Sequence, residues 1–552
     1  MLIFARMPRA ALLSAVLAIP LAAQQPKSAP PVHLGLGAPA PVVRTEADLV
    51  RFLDDLELQR WVVDRALSLE GYAQWRGESH HQVAGIQRLS TDLASRRDYA
   101  MVIDQWKPRV KDPTLARRLQ LHATFFLPAK ADPALSLGLA DLQTAIQDTV
   151  QQFRYRVAGR LLTRTQLSAV LDSSPDRPLR QAAFEAVPQV SERIGARVRQ
   201  AMGMNDRIGR QQGFPNGAAA RLAQSSLTPN QVLRDLDAFD QATRPTYDAL
   251  LARMRKDLAV DHLEPWDLDH WFRVQERAVA DAYPIDKGVE RTLALARGLG
   301  FQVDSLPITV TIYDVPTGGI AFDIRPPYEA RLLSNPFAGA QFYSTLFHEY
   351  GHTLHMTGIG ADLPLVFLAM DEQPSTEGLA EVLGLFAYDR RFLARTAGVN
   401  PEQAAQLERL GKLQHLLWLR RTIAANAYAE VQAYLDLEAD LDSIYAASYR
   451  RFVGVELPPG DYVGARDMFG TTPLYLPVYL YADMIGTQLQ QAMRAEFGAE
   501  DLTQEPRVAG WMTTKFYGPG QSVPWPEKIR RATGKALDAR ALAAYLAVDV
   551  GK

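Results

Sequence analysis

His348, Glu349 and His352 lie in the segment TLFHEYGHTLH, residues 345–355, and their types and spacing suit hydrolytic metal chemistry. On a helix, residues four apart project from one face about one turn from each other, so two imidazole nitrogens can reach a single zinc ion. Glu349 is rotated to the side, where its carboxylate can reach a water on the metal rather than the metal itself. Only 10 histidines occur in 552 residues, so two at this spacing around a glutamate are a poor candidate for coincidence. Tetrahedral zinc in a hydrolytic site takes three protein ligands and keeps one position open. The third candidate ligand is Glu377, in the stretch Ser375-Thr376-Glu377-Gly378-Leu379-Ala380-Glu381 that opens a second apolar helix. Ser375 or Thr376 would cap that helix and put Glu377 in its first turn, where a negative charge is favoured. Glu381, four residues on and on the same face, is placed to accept the spare N–H of a zinc-bound histidine and fix its tautomer. One zinc ion held by His348, His352 and Glu377 is the expected cofactor.

With Glu377 29 positions after His348, the segment resembles the active site of the thimet-oligopeptidase family. Ala321-Phe322-Asp323-Ile324, followed by Arg331-Leu332 and then the HExxH residues, is similar in spacing to the corresponding part of the angiotensin-converting-enzyme family. Supportive likenesses extend to residues 201–216, to Pro265-Trp266-Asp267-Leu268 and to the C-terminal segment 518–542. The resemblance implies a gluzincin metallopeptidase: peptide-bond hydrolysis in a deep cleft flanked by two helical lobes. In both families a late tyrosine, accompanied by a histidine upstream of it, meets the charge that develops on the scissile carbonyl oxygen. Residues 466–484 here supply Tyr475, Tyr479 and Tyr481, whereas no histidine follows His415. Ala482-Asp483 is similar to the small-acidic pair that follows the donor in the oligopeptidases, which favours Tyr479, with Tyr475 next. His415 lies on a Leu/Trp face and reads as a core residue. The arginine that binds chloride in many converting enzymes has no match, so anion activation is not expected.

The elements that must position these residues are mostly helices. Neither Pro nor a Gly pair interrupts 342–355, which reads as a buried helix. Thr45-Glu46-Ala47-Asp48 has the form of a capping box, and Leu49, Phe52, Leu53, Leu56, Trp61, Val62 and Leu67 follow at helical spacing. Further helical stretches are expected at 87–106, 113–127, 135–162, 165–171, 178–212, 228–260 and 411–445. The stretch 178–212 stops at Gly213-Phe214-Pro215. Between 307 and 333 the apolar period shifts towards two: 308–313 and 320–324 read as strands joined by a turn, a small antiparallel sheet beside the HExxH helix. An edge strand there can bind an extended peptide by main-chain hydrogen bonds, and Gly318 and Gly319 permit close approach. The expected fold is thus mainly α, with that one small sheet.

Residues 1–23 read as a secretory signal, with Arg6 and Arg9 before the apolar run 10–21 and small residues at Ala22-Ala23. That run is too short to span a membrane, so no stable membrane association is expected after cleavage, and an exported chain is. The Pro-rich 24–44 reads as a linker, and 45–550 as one zinc-peptidase domain. A net charge of −2, without basic or acidic blocks, makes no case for nucleic acid. The absence of cysteine excludes disulfides. Oligopeptides are the expected substrates, cut by a peptidyl-dipeptidase or oligopeptidase, with Glu349 activating water. The competing function is a metal-binding, catalytically weak or inactive peptide-binding protein. Hydrolysis of a non-peptide amide is a third.

Overall fold

Thr45 opens the fold: its hydroxyl accepts the backbone N–H of Asp48, whose carboxylate accepts the Thr45 N–H, and helix α1 (Glu46–Trp75) runs on from this capping box. The computed structural model describes residues 37–276, 282–315, 317–337 and 339–550; the expected signal and most of the linker lie outside them. Helices α2 (Val83–Ala94), α3 (Arg97–Trp106) and α4 (Pro113–Phe125) pack on α1 around Leu53, Leu56, Ile103 and Leu119, forming a small core of their own. The expected 87–106 helix is therefore two helices, broken at Ser95 and Arg96.

Helix α5 (Pro133–Gln152) stops well short of residue 162. Ala158 and Gly159 have φ of 46° and 76°, the turn that matches strand twist, and they fold 155–162 into a hairpin of β1 (Tyr155–Val157) and β2 (Arg160–Leu162). Helices α6 (Arg164–Ser173), α7 (Arg177–Ala186), α8 (Ser191–Gln211), α9 (Gly217–Ala223), α10 (Pro229–Asp257), α11 (Leu268–Glu276) and α12 (Gly288–Gly298) follow. Gly213, at φ 92°, ends the α8 segment as its sequence predicts.

The second sheet holds β3 (Ile308–Ile312), β4 (Gly319–Arg325) and β5 (Glu329–Ser334) in the order β3-β5-β4. The expected pairing of 308–313 with 320–324 does not form. Strand β5 lies between them, antiparallel to β4 and parallel to β3, so the sheet is mixed. Its Ala330, Leu332 and Leu333 are fully buried, and the most deeply buried strand takes the middle.

Helices α13 (Ala340–Gly358), α14 (Gln373–Gly384), α15 (Arg390–Thr396) and α16 (Pro401–Trp418) come next. A π-turn at Leu419–Ala424 leads into α17 (Ala425–Leu435) and α18 (Leu441–Val453). The chain closes with α19 (Asp467–Thr471), α20 (Pro477–Phe497), α21 (Arg507–Met512), α22 (Trp525–Thr533) and α23 (Arg540–Leu546). Buried apolar side chains form one continuous core from Leu139 to Val550, and α13, α14 and α20 run through it. The architecture is mainly α with small sheets, as expected. Among the described residues no helix is long and apolar enough to cross a membrane.

Candidate metal centre

Helices α13 and α14 touch backbone to backbone where Gly351 meets Ala380. A Cβ on Gly351 would lie 2.8 Å from the Ala380 Cα and 2.9 Å from its carbonyl oxygen, so only glycine lets the two backbones meet. Phe342, Leu346, Phe347, Tyr350 and Leu354 bury one face of α13, and the opposite face presents His348 and His352. Their ring centroids are 4.7 Å apart with the rings nearly perpendicular.

Across the contact, Glu377 Oε2 stands 3.2 Å from His348 Nε2 and 3.8 Å from His352 Nε2. Two ligands at about 2.0–2.2 Å from a tetrahedral ion are about 3.4 Å apart, so these separations fit a shared zinc. Burial works against ionisation of Glu377, but the hydrogen bond with His348 and the adjacent imidazole charges hold its carboxyl down at about 2. Burial likewise opposes a charge on His348, yet Glu377 and Glu381 raise it well above the ordinary histidine range. Burial and the neighbouring His348 push His352 down to about 3, leaving a neutral imidazole with a lone pair to give. A cation bound at the triad would take the place of the extra proton that Glu377 and Glu381 favour on His348.

Glu381 Oε2 lies 2.8 Å from His348 Nδ1, within hydrogen-bond distance. The Nδ1 of His352 is buried without a protein partner. The capping expected of Ser375 and Thr376 is absent. Helix α14 starts earlier, at Gln373, which puts Glu377 in the second turn. Asp371 instead accepts the Ser375 hydroxyl through its carboxylate and the Thr376 hydroxyl through its carbonyl, each at 2.8 Å. Asp371 is itself held by Lys528 Nζ at 2.8 and 2.9 Å, an ion pair with both side chains buried.

Glu349 lies beside the triad, with its side chain packed against β4. A Cβ on Gly319 would come within 2.6 Å of Glu349 Cγ, so this glycine makes room for the Glu349 side chain. Burial, with Glu377 nearby, pushes the Glu349 carboxyl up to about 7, while His348 opposes the shift. That value suits a group that must both take and release a proton near neutrality.

His348, Glu349, His352, Glu377 and Glu381 share one cleft of about 960 Å³ with Tyr475, Tyr479, His415 and Trp418. Strand β4 lines it through Gly319, Ile320, Ala321 and Asp323, and pairs with β5 on one edge only. Arg65 of α1 grips Asp323, donating to its carboxylate at 2.8 Å and to its carbonyl. Arg421, in the π-turn, lines the cleft and donates to Asp269 at 2.5 Å.

Tyr479 sits in the first turn of α20, and Tyr475 just precedes that helix, following Leu474 at φ 56°. The two rings meet edge to face at 5.4 Å. Burial raises both phenols above their ordinary range, and Glu377 and Glu349 add to the shift, which puts both hydroxyls in the field of the metal site. Tyr481 faces elsewhere, donating to Asp235. His415, read from sequence as core, is a cleft residue; its Nε2 lies 2.7 Å from Asp483 Oδ1. The sequence hint was the Asp483 that follows the tyrosines, but its partner lies 68 residues upstream.

No family model matches this chain, and no curated protein matches it. Solved structures share its fold. The carboxypeptidase of Pyrococcus furiosus superimposes with a TM-score of 0.64 at 11% identity, covering 92% of this chain and 99% of that one. An M32 carboxypeptidase from Deinococcus radiodurans R1 does so with a TM-score of 0.63 at 14% identity, covering 90% and 97%.

Proposed function

We propose that this chain is a zinc-dependent metallopeptidase of the HExxH-plus-glutamate type that hydrolyses oligopeptides. The observation that carries this reading is the donor set itself: His348 Nε2, His352 Nε2 and Glu377 Oε2 lie at ligand separations from one another, with Glu349 opening on the same cleft. His348, His352 and Glu377 hold the zinc, and Glu381 orients His348. Bound zinc supplies Lewis acidity and lowers the pKa of water at its open position.

The remaining steps belong to the chain's own groups. Glu349 takes a proton from the attacking water as its oxygen bonds to the scissile carbonyl carbon. It then delivers that proton to the amine nitrogen as the C–N bond breaks. A tyrosine hydroxyl, Tyr479 first and Tyr475 second, donates to the carbonyl oxygen as it gains charge. The free edge of β4 pairs with an extended substrate through main-chain hydrogen bonds, and a narrow cleft excludes folded chains. Residues 1–23 support export of the mature protein.

Within this activity, an oligopeptidase or peptidyl-dipeptidase cuts inside the peptide or two residues from its end. Removal of single carboxyl-terminal residues is a second specificity. It is favoured by Arg421, a cleft guanidinium able to pair with a terminal carboxylate, and by the carboxypeptidases that share the fold.

The test is digestion of internally quenched peptides, with products identified by mass spectrometry and bound metal by elemental analysis. Cleavage that is lost on chelation and restored by one equivalent of zinc is expected, and the product lengths give the specificity. Peptide binding with one zinc bound and no turnover would instead assign the chain as a binding protein.

A further inference from the structure

The sequence lacks a late histidine beside its tyrosines, yet an imidazole reaches their part of the cleft from another helix. His415 and Trp418 are three apart on α16 and stack, with ring centroids at 5.4 Å and planes 28° apart. Tyr479 and Asp483 are four apart on α20, one turn from each other on the same face. The two pairs meet as two rungs: His415 Nε2 to Asp483 Oδ1 at 2.7 Å, and the Trp418 ring against the edge of Tyr479 at 5.9 Å and 74°. Tyr479 in turn meets Tyr475.

We propose that His415, anchored by Asp483, is a positioning residue that holds Tyr479 in its catalytic orientation through Trp418; this rests on the peptidase reading above. Trp418 is half-buried at the margin of the main core, where His415 and Tyr479 supply its ring contacts. One of its faces is set by His415, and its contact with Tyr479 depends on that face. Asp483 is 2% exposed and ties the imidazole to the helix that carries Tyr479. Each rung therefore fixes the same register between α16 and α20. A tyrosine hydroxyl displaced by even a fraction of an ångström loses much of its value as a donor to a developing charge.

Glu381, His415 and Asp483 also bring three potential ligand atoms within 4.8 Å of one another. The 2.7 Å separation of His415 from Asp483 is a hydrogen bond, however, and well short of the about 3.4 Å that separates two ligands on one tetrahedral zinc. The geometry points to a clamp rather than a second metal site.

The experiment is a double-mutant cycle on the zinc-loaded protein. His415→Ala should lower kcat about tenfold to a hundredfold with KM within about twofold, and zinc should stay at one per chain. In a Tyr479→Phe background the same change should add almost nothing, because its target is already gone. Trp418→Leu, which leaves the His415–Asp483 pair intact, should reproduce the fall in kcat even if His415→Ala folds poorly. Nitration by tetranitromethane, mapped by mass spectrometry, should reach Tyr479 several-fold faster in His415→Ala or Trp418→Leu than in the wild type. Additive losses in the cycle, or unchanged kcat and nitration, would overturn the clamp. So would two zinc ions per wild-type chain falling to one in His415→Ala. A wild type that cleaves nothing contradicts the peptidase reading alone, and the nitration rates then decide the clamp.

Discussion

The role proposed for Glu349 makes two demands: the carboxylate must lie beside the candidate metal triad without joining it, and it must exchange a proton near neutrality. The first is met by Gly319, whose missing side chain leaves the space that Glu349 fills. The second is met by burial, which lifts the carboxyl to about 7. In the proposed mechanism the base form is the active one, so kcat/KM should rise with pH as Glu349 ionises. A cation at the triad favours the carboxylate, so the half-point of that acid limb should fall at or below pH 7. A pH–rate profile checks this, and activity that rises as the pH drops would contradict it. Replacing Tyr479 by Phe should lower kcat about a hundredfold with little change in KM, the pattern of an interaction made only in the transition state. At this scale the clustering of the candidate ligands was legible in the sequence. His348, His352, Glu377 and Glu381 sit on two helices whose periodicity fixes which residues share a face. His415 was not legible, because its role comes from Asp483, and nothing local connects two residues 68 apart in the chain.

Helices α13 and α14 carry every proposed ligand, and their spacing is set by Gly351 against the backbone of Ala380. Gly351→Ala should force them apart and weaken zinc binding about tenfold or more, measured by competition with a chelating dye. The start of α14 depends on Asp371, which holds Ser375 and Thr376 and is neutralised by buried Lys528. Lys528→Met leaves that carboxylate buried without its counter-charge and should cost about 3–5 kcal/mol in urea unfolding. The expected capping by Ser375 or Thr376 failed because the Asp371 carboxylate claims the serine hydroxyl and its carbonyl the threonine hydroxyl. The expected hairpin of 308–313 with 320–324 failed for a different reason. Adjacent strands in sequence usually pair, but β5 follows β4 after a short turn, pairs with both neighbours and is the most buried of the three. Similarly, the helical period through 135–162 hid the Ala158-Gly159 turn, whose two positive φ angles fold the end of that stretch back as a hairpin.

The whole molecule is a continuous helical core that walls a cleft, with the small core of α1–α4 beside it and α1 tied to β4 through Arg65 and Asp323. The mainly α class was legible because amphipathic periodicity recurs along most of the chain; the cleft was inferred from family resemblance, since periodicity does not show where helices leave a gap. Stability should depend on pH through two inaccessible histidines outside the triad, His122 and His355. Burial pushes each down to about 4 from the unfolded 6.5. The unfolded chain therefore binds protons first as the pH falls. Their contribution is intact above about 6.5 and is lost on the way down to about 4, on the order of 3 kcal/mol each at the lower limit. Urea unfolding of the zinc-loaded protein across that range checks it, and a flat profile would contradict it. The central claim, that this cleft is a metallopeptidase site with Glu349 as its proton carrier, is tested most directly by peptide cleavage with Glu349→Gln carrying one equivalent of zinc. A kcat/KM about a thousandfold below the wild type at equal metal content is the predicted result, and an unchanged rate would contradict the account.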